Sequence, residues 1–239
     1  MITLAGKTVL ITGATGALGR VLCEALAKAG ATLVLAGRNQ ERLAALYDRI
    51  RQLGAEPWIL PLDLEKPEEI PYLVRSIAAE IGTLYGLVHL ASHVSLPTPL
   101  HMRTFVDWKK SLDVHLSGPF VLTSACLSML GQTKEGVIIF TSATAGYEPH
   151  AYWGDFAVTK AAVLAMAKVF AEEWQPHGVG VHVVIPGPID SAQRMKTHPG
   201  ETQAERIPLQ AAASFYLDLL QKKREDFVID VAKMWHHDD

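Results

Sequence analysis

The run Thr8-Val9-Leu10-Ile11 breaks off into Thr12-Gly13-Ala14-Thr15-Gly16-Ala17-Leu18-Gly19. Past that turn, Leu18, Val21, Leu22, Ala25 and Leu26 recur at helical spacing over 17–29. Strand, glycine-rich turn and helix in this order leave few folds open. Gly13 permits the tight turn, Gly16 lets a pyrophosphate approach the backbone, and Gly19 lets the helix pack on the strand. The helix start adds free N–H groups and a positive dipole end. In this context the turn reads as a dinucleotide-binding fingerprint. Gly13, Thr15, Gly16, Ala17, Leu18 and Gly19 are its candidate contacts.

The same alternation continues along the chain. Apolar runs at 32–36, 58–62, 87–91, 137–141, 181–185 and 227–231 alternate with helical patterns over 40–53, 65–81, 105–130, 154–173 and 209–222. Runs apolar on both faces suit a parallel sheet covered by helices. The spacing predicts a Rossmann-like, doubly wound α/β fold in one domain over 1–239. Seven parallel strands in the order 3-2-1-4-5-6-7 are expected, with helices on both faces. The stretch 190–207 is the least regular and reads as a long loop with a short helix, of the kind that serves as a lid.

Composition narrows the function classes. Of 239 residues, 49% are hydrophobic and 20% charged, which excludes a disordered chain. A net charge of −3 leaves no basic footprint, so nucleic acid is not an expected partner. Cys23 and Cys126 lie in apolar helical stretches and read as buried thiols of a reducing compartment. The first residues lack a charged segment followed by an apolar one, and no uninterrupted apolar run reaches about 18 residues. A cytoplasmic protein without a membrane partner is expected. The polar ending His236-His237-Asp238-Asp239 reads as a fraying tail.

From these motifs the chain resembles the short-chain dehydrogenase/reductase family over nearly its whole length. Single-domain members carry Thr-Gly-x-x-x-Gly-x-Gly; here Ala17 stands at the middle glycine and Gly16 one place earlier. The resemblance implies a nicotinamide dinucleotide cofactor. At the end of the second strand, Leu35-Ala36-Gly37-Arg38-Asn39 holds no carboxylate for an NAD ribose, whereas Arg38 suits the 2′-phosphate of NADP. NADP(H) is therefore expected over NAD(H). Asp63-Leu64 resembles the pair that faces the adenine, and Asp63 also suits a helix N-cap. Ala91, in His89-Leu90-Ala91-Ser92, occupies a cofactor-contact position by resemblance, as does Ser191 after Pro186-Gly187.

The reaction residues depart from the family. Its tetrad is Asn, Ser, Tyr and Lys: the Tyr moves a proton at the substrate oxygen, and the Lys holds the ribose and lowers the Tyr pKa. Lys160 fits the lysine. The tyrosine place, four residues earlier, holds Phe156; the serine place holds Ala143; the asparagine place holds His115. Gly146 fits the glycine of the family's Ser-x-x-Gly. Ser142 is expected to point to the other side of the strand. Candidate substitutes are Ser142, Thr144, Tyr147, Tyr152, Asp155 and His115, with Tyr152 expected to lean over the pocket from one turn before Phe156. The retained nucleotide residues and altered tetrad leave two readings. One is an NADP(H)-dependent oxidoreductase with a non-standard proton source and an unknown small-molecule substrate. The other is a catalytically inactive NADP(H)-binding regulatory or partner subunit. The apolar helices over 105–130 and 154–173 predict a homodimer or homotetramer.

Overall fold

A computed structural model describes residues 3–222, 224 and 226–235. The expected polar tail 236–239 lies outside the described residues. Seven strands form one sheet in the order β3-β2-β1-β4-β5-β6-β7, and every neighbouring pair is parallel. In chain order they are β1 (Thr8–Thr12), β2 (Thr32–Gly37), β3 (Trp58–Pro61), β4 (Gly86–His89), β5 (Val137–Thr141), β6 (Gly180–Ile185) and β7 (Val228–Asp230). The helices are α1 (Ala17–Lys28), α2 (Gln40–Gln52), α3 (Ile70–Ile81), α4 (Phe105–Leu112), α5 (Gly118–Gln132), α6 (Gly154–Trp174), α7 (Ala192–Thr197), α8 (Leu209–Leu220) and α9 (Val231–Trp235).

The period of two along the strands makes two cores from one sheet. Val9, Ile11, Leu33, Leu35, Ile139 and Val184 face one layer, where α1, α2 and α8 cover them. Leu10, Val34, Ala36, Ile138, Phe140 and Val183 face the other, beneath α3, α5 and α6. Burying both faces explains why these strands read as continuous apolar runs.

Three expected boundaries shift for local reasons. The helix expected from residue 65 begins at Ile70, behind a single 3₁₀ turn over Pro67–Glu69. The side chain of Asp63 accepts the Glu65 N–H at 3.1 Å and holds a turn there instead. The fourth strand ends at His89 rather than 91, because the Ala91 N–H turns to the Thr12 hydroxyl at 3.3 Å. The long helix expected over 105–130 runs on to Gln132, with a π turn at Asp113–Ser117 joining α4 to α5 within it. Together these cover Phe105–Gln132, long and apolar enough by composition to cross a membrane, yet Leu122, Cys126, Met129 and Leu130 are buried in the second core.

Candidate active site

The strands' C-terminal ends open into a cleft of about 760 Å³ that runs from Arg38 and Arg42 at one end to Trp153 and His198 at the other. This edge is where doubly wound sheets bind ligands.

The nucleotide end is built mainly of backbone. Gly13 has φ +66°, and a Cβ there would lie 2.7 Å from the Ala91 nitrogen. A Cβ on Gly19 would lie 2.3 Å from the Gly13 carbonyl, so no side chain fits without moving main chain. Gly16 caps α1 without a side-chain hydrogen bond, leaving first-turn N–H groups facing the cleft for an anion. These features fit a pyrophosphate. Thr15, Ala17, Leu18, Asp63, Leu64, Ala91, Pro186, Gly187 and Ser191 line the same cleft.

Arg38 also lines it, but its guanidinium is ion-paired with Glu65, and Lys110 reaches the same carboxylate at 3.4 Å. The absence of a carboxylate at the end of β2 is thus offset by one delivered from beyond β3. Among the lining residues not foreseen from sequence are Asn39, whose side chain caps α2 by accepting the Arg42 N–H at 2.8 Å, and Arg42 itself. Arg42 sits one turn beyond Arg38, a basic spacing visible in the sequence.

The reaction end is built of side chains. Lys160 is buried on α6, and its Nζ donates to the Thr141 carbonyl at 2.9 Å. Burial lowers its pKa to about 8. Gly146 lets the β5–α6 turn approach α6, since a Cβ there would lie 2.9 Å from the Lys160 carbonyl carbon. Ala143 and Phe156 line the cleft, presenting a methyl and a phenyl ring at the places where the resemblance led one to expect a hydroxyl and a phenol. The Ser142 hydroxyl donates to the Lys160 carbonyl at 2.9 Å, so its proton is turned to the α6 backbone.

His115 is buried on the π turn and does not line the cleft. Its Nε2 accepts the His93 N–H at 3.0 Å, so that nitrogen carries the lone pair and Nδ1 the hydrogen. Nδ1 then donates to the Thr159 hydroxyl at 3.1 Å, while Thr159 donates onward to the Asp155 and Phe156 carbonyls. Burial, reinforced by Lys160, holds its pKa well below the ordinary histidine value. His115 is a neutral bridge between the β4 loop and α6, which corrects its candidacy as an acid. Tyr152 is corrected too. It lies before α6 rather than on it, has φ +74°, is 57% exposed and does not line the cleft. Tyr147 bonds Asp230, and Asp155 is ion-paired in burial with Arg103 at 3.1 Å. Among the described residues no tyrosine lines the cleft.

The stretch 190–207 closes over this end. Ser191 caps α7 by accepting the Arg194 N–H at 3.1 Å. Its neck is tied by the Asp190 N–H to the Ile207 carbonyl at 3.0 Å and the Ile207 N–H to the Pro188 carbonyl at 2.9 Å. Within it, Arg194 grips Glu201 with two bonds of 2.8 and 2.6 Å, and Arg206 reaches both Glu201 and Asp190. His198, just past the end of α7, stacks on Trp153, a pairing without a local sequence signal.

Known proteins share this frame. The short chain dehydrogenase pattern matches residues 7–202. The uncharacterized oxidoreductase YciK of Escherichia coli is 31% identical over 212 residues, covering 85% of this chain and 84% of its own. The 3-oxoacyl-[acyl-carrier-protein] reductase FabG of Aquifex aeolicus is 29% identical over 211 residues, covering 87% and 85%. A short chain dehydrogenase from Shigella flexneri, solved in complex with NADP, superposes with TM-score 0.91 at 28% identity over 96% of this chain and 98% of its own. With its fold, its glycine cradle and a pattern match over most of its length, the chain belongs to the short chain dehydrogenase family.

Proposed function

We propose that the protein is an oxidoreductase that binds NADP(H) in preference to NAD(H) and acts on a carbonyl or alcohol without the family's tyrosine acid. The observation that carries this reading is the continuity of one cleft from Arg38 past the glycine cradle to Lys160 and Ser191. Arg38 and Arg42 would hold the 2′-phosphate, the first turn of α1 the pyrophosphate, and Lys160 the nicotinamide ribose. The bound cofactor supplies or accepts a hydride. The complex of a Shigella flexneri relative with NADP supports the phosphate form.

Loss of the proton relay is the specific observation that favours the second reading, a regulatory subunit that binds dinucleotide without turnover. Phe156 has no proton to give, and Ala143 cannot polarise a carbonyl. Binding and transition-state stabilisation are separate terms, so a cleft can keep one and lose the other. Calorimetry with NADPH and NADH, followed by absorbance at the nicotinamide band with a panel of carbonyl compounds, tests both. NADPH binding with oxidation by some carbonyl is expected; binding with none supports the subunit reading, and no binding overturns both.

Assembly through α4, α5 and α6 belongs to the same reading. Phe105, Val106, Phe120, Val158 and Val169 are large apolar side chains exposed on these helices. Such a surface favours covering by a second copy. A homodimer or homotetramer is expected in light scattering at micromolar concentration; a monomer overturns it.

A further inference from the structure

The reaction end carries a wall of aromatic rings contributed by two separate elements. Phe156 meets His115 edge-on at 5.5 Å between centroids, and Trp153 tilts onto Phe156 at 5.8 Å. His198 then stacks on Trp153 at 5.5 Å, with the two planes 24° apart. Phe156, Trp153 and His198 all line the cleft. Beside them Ala143 offers a methyl group only. Flat π faces bind flat π faces, in offset or edge geometry.

The chemistry missing from this end selects among carbonyl compounds. Hydride addition to a simple ketone leaves an alkoxide, whose basicity is near that of hydroxide. It needs a proton as it forms; Phe156 and Ala143 have none to give, and the Lys160 ammonium is engaged by the Thr141 carbonyl at 2.9 Å. Reduction of a quinone leaves a hydroquinone anion, which is a phenolate. The two anions differ by roughly six pKa units, from the values for water and a tyrosine phenol. A phenolate persists in water until solvent protonates it. The buried ammonium of Lys160, facing the same cleft, supplies positive charge for such an anion.

We propose that this site takes a planar, conjugated carbonyl compound of the quinone class, stacked on the wall formed by Trp153 and Phe156. The proposal rests on the reading of the site as an NADP(H)-dependent oxidoreductase. In the balanced reaction the quinone gains a hydride, two electrons with one proton, from the dihydronicotinamide, which is oxidised. It gains its second proton from water, giving the hydroquinone, and no side-chain acid takes part. The thiols accord with such a substrate. Cys23 and Cys126 are buried and their pKa values are pushed up, that of Cys126 to about 12, so neither presents a thiolate for a quinone to alkylate.

The test has a binding arm and a turnover arm, both with the full chain. Duroquinone, whose ring carbons are all substituted, is titrated calorimetrically into wild type, Trp153→Leu and Trp153→Phe without nucleotide. Trp153→Leu is expected to weaken binding about ten-fold, the scale of one lost aromatic contact, and Trp153→Phe to retain most of it. Retention of the aromatic variant's affinity separates loss of the wall from loss of the fold. In the turnover arm, NADPH oxidation by duroquinone is expected to exceed that by cyclohexanone at least about a hundred-fold in kcat/KM, the scale of an absent general acid. Duroquinone binding that ignores Trp153→Leu, or that is absent, overturns the proposal. So does equal turnover of the two substrates. If NADPH itself fails to bind, the oxidoreductase reading falls while the duroquinone titration still decides the wall.

Discussion

The two ends of the cleft are made of different materials. At the nucleotide end the shape is set by main chain: a Cβ on Gly13 or Gly19 would overlap backbone atoms 2.7 and 2.3 Å away. At the reaction end the shape is set by side chains hung on a similar frame. Lys160 and Phe156 sit one turn apart on α6, and Phe156 carries no proton. A site made of backbone cannot change one residue without moving a strand or helix. A site made of side chains can exchange its chemistry while β5 and α6 stay where they are. The contrast predicts that restoring chemistry is a matter of two side chains, whereas rebuilding the cradle would be a matter of refolding.

The sharpest way to break that contrast is to put the chemistry back. Ala143→Ser with Phe156→Tyr is expected to raise ketone turnover by roughly 10²–10⁴-fold. The pair should exceed the product of the single changes, because both groups act on one oxygen. Steady-state kinetics with cyclohexanone checks it. No gain would mean that the frame at the reaction end has moved along with its side chains.

A second test asks how closed the reaction end is. Lys160 has a folded-state pKa near 8, below the ordinary value of 10.5, because burial disfavours its charge. Between those values the unfolded chain binds the extra proton, so stability should rise with pH from about 8 to about 10.5. The gain from this one group is of order 3 kcal/mol, at about 1.4 kcal/mol per pKa unit. Below pH 8 both states are protonated and the term is flat. Urea unfolding across this window should show the rise in wild type and a smaller one in Lys160→Met; identical slopes would mean an ammonium that water reaches.

The nucleotide end is tested at Arg38. Arg38→Ala should weaken NADPH binding about ten- to a hundred-fold and leave NADH little changed, as expected for a lost charge-assisted contact worth roughly 1.5–3 kcal/mol. Calorimetry that finds the two cofactors equal in wild type would remove Arg38 from the phosphate site. The smallest effect is expected from Glu65→Gln. Arg38 is 57% exposed in its pair with Glu65, so the pair is worth at most about 1 kcal/mol. Releasing the guanidinium should tighten NADPH binding by no more than about five-fold, measurable in the same titrations.

The same division decides how much could be read from sequence. Strands β1, β2, β4, β5 and β6 were legible because burial on both faces forces apolar runs, the half-exposed edge strands β3 and β7 by their place in the alternation, and the first turn because its glycines are required by sterics. The place of Lys160 on the cleft was legible through resemblance to the family's lysine, with Gly146 fixing the register. The π turn at Asp113–Ser117 was not, since α5 after it is apolar nearly all round and offers no phase against which a one-residue slip would show. The partners were not legible either. Arg103 meets Asp155, Glu65 meets Arg38 and His198 meets Trp153 across separate elements, and no local period records such meetings. Tyr152 failed for a related reason: counting back one helical turn presumes a helix, and α6 starts at Gly154.

The tied neck and internal ion pairs of 190–207 have a kinetic meaning. With Arg194, Glu201, Arg206 and Asp190 joined inside it, the segment behaves as a stiff panel rather than a slack strap. A stiff panel opens only at its edges, and Gly187, held at φ +71° against Ala232 and Ile207, lies at the near edge. Its swing must part the His198–Trp153 stack and expose the cleft in one motion. Motions of this kind run on microsecond-to-millisecond timescales and often set the pace of turnover. For an acceptor that needs no acid, departure of the product then becomes the slow event, and solvent viscosity rather than proton supply would govern the rate.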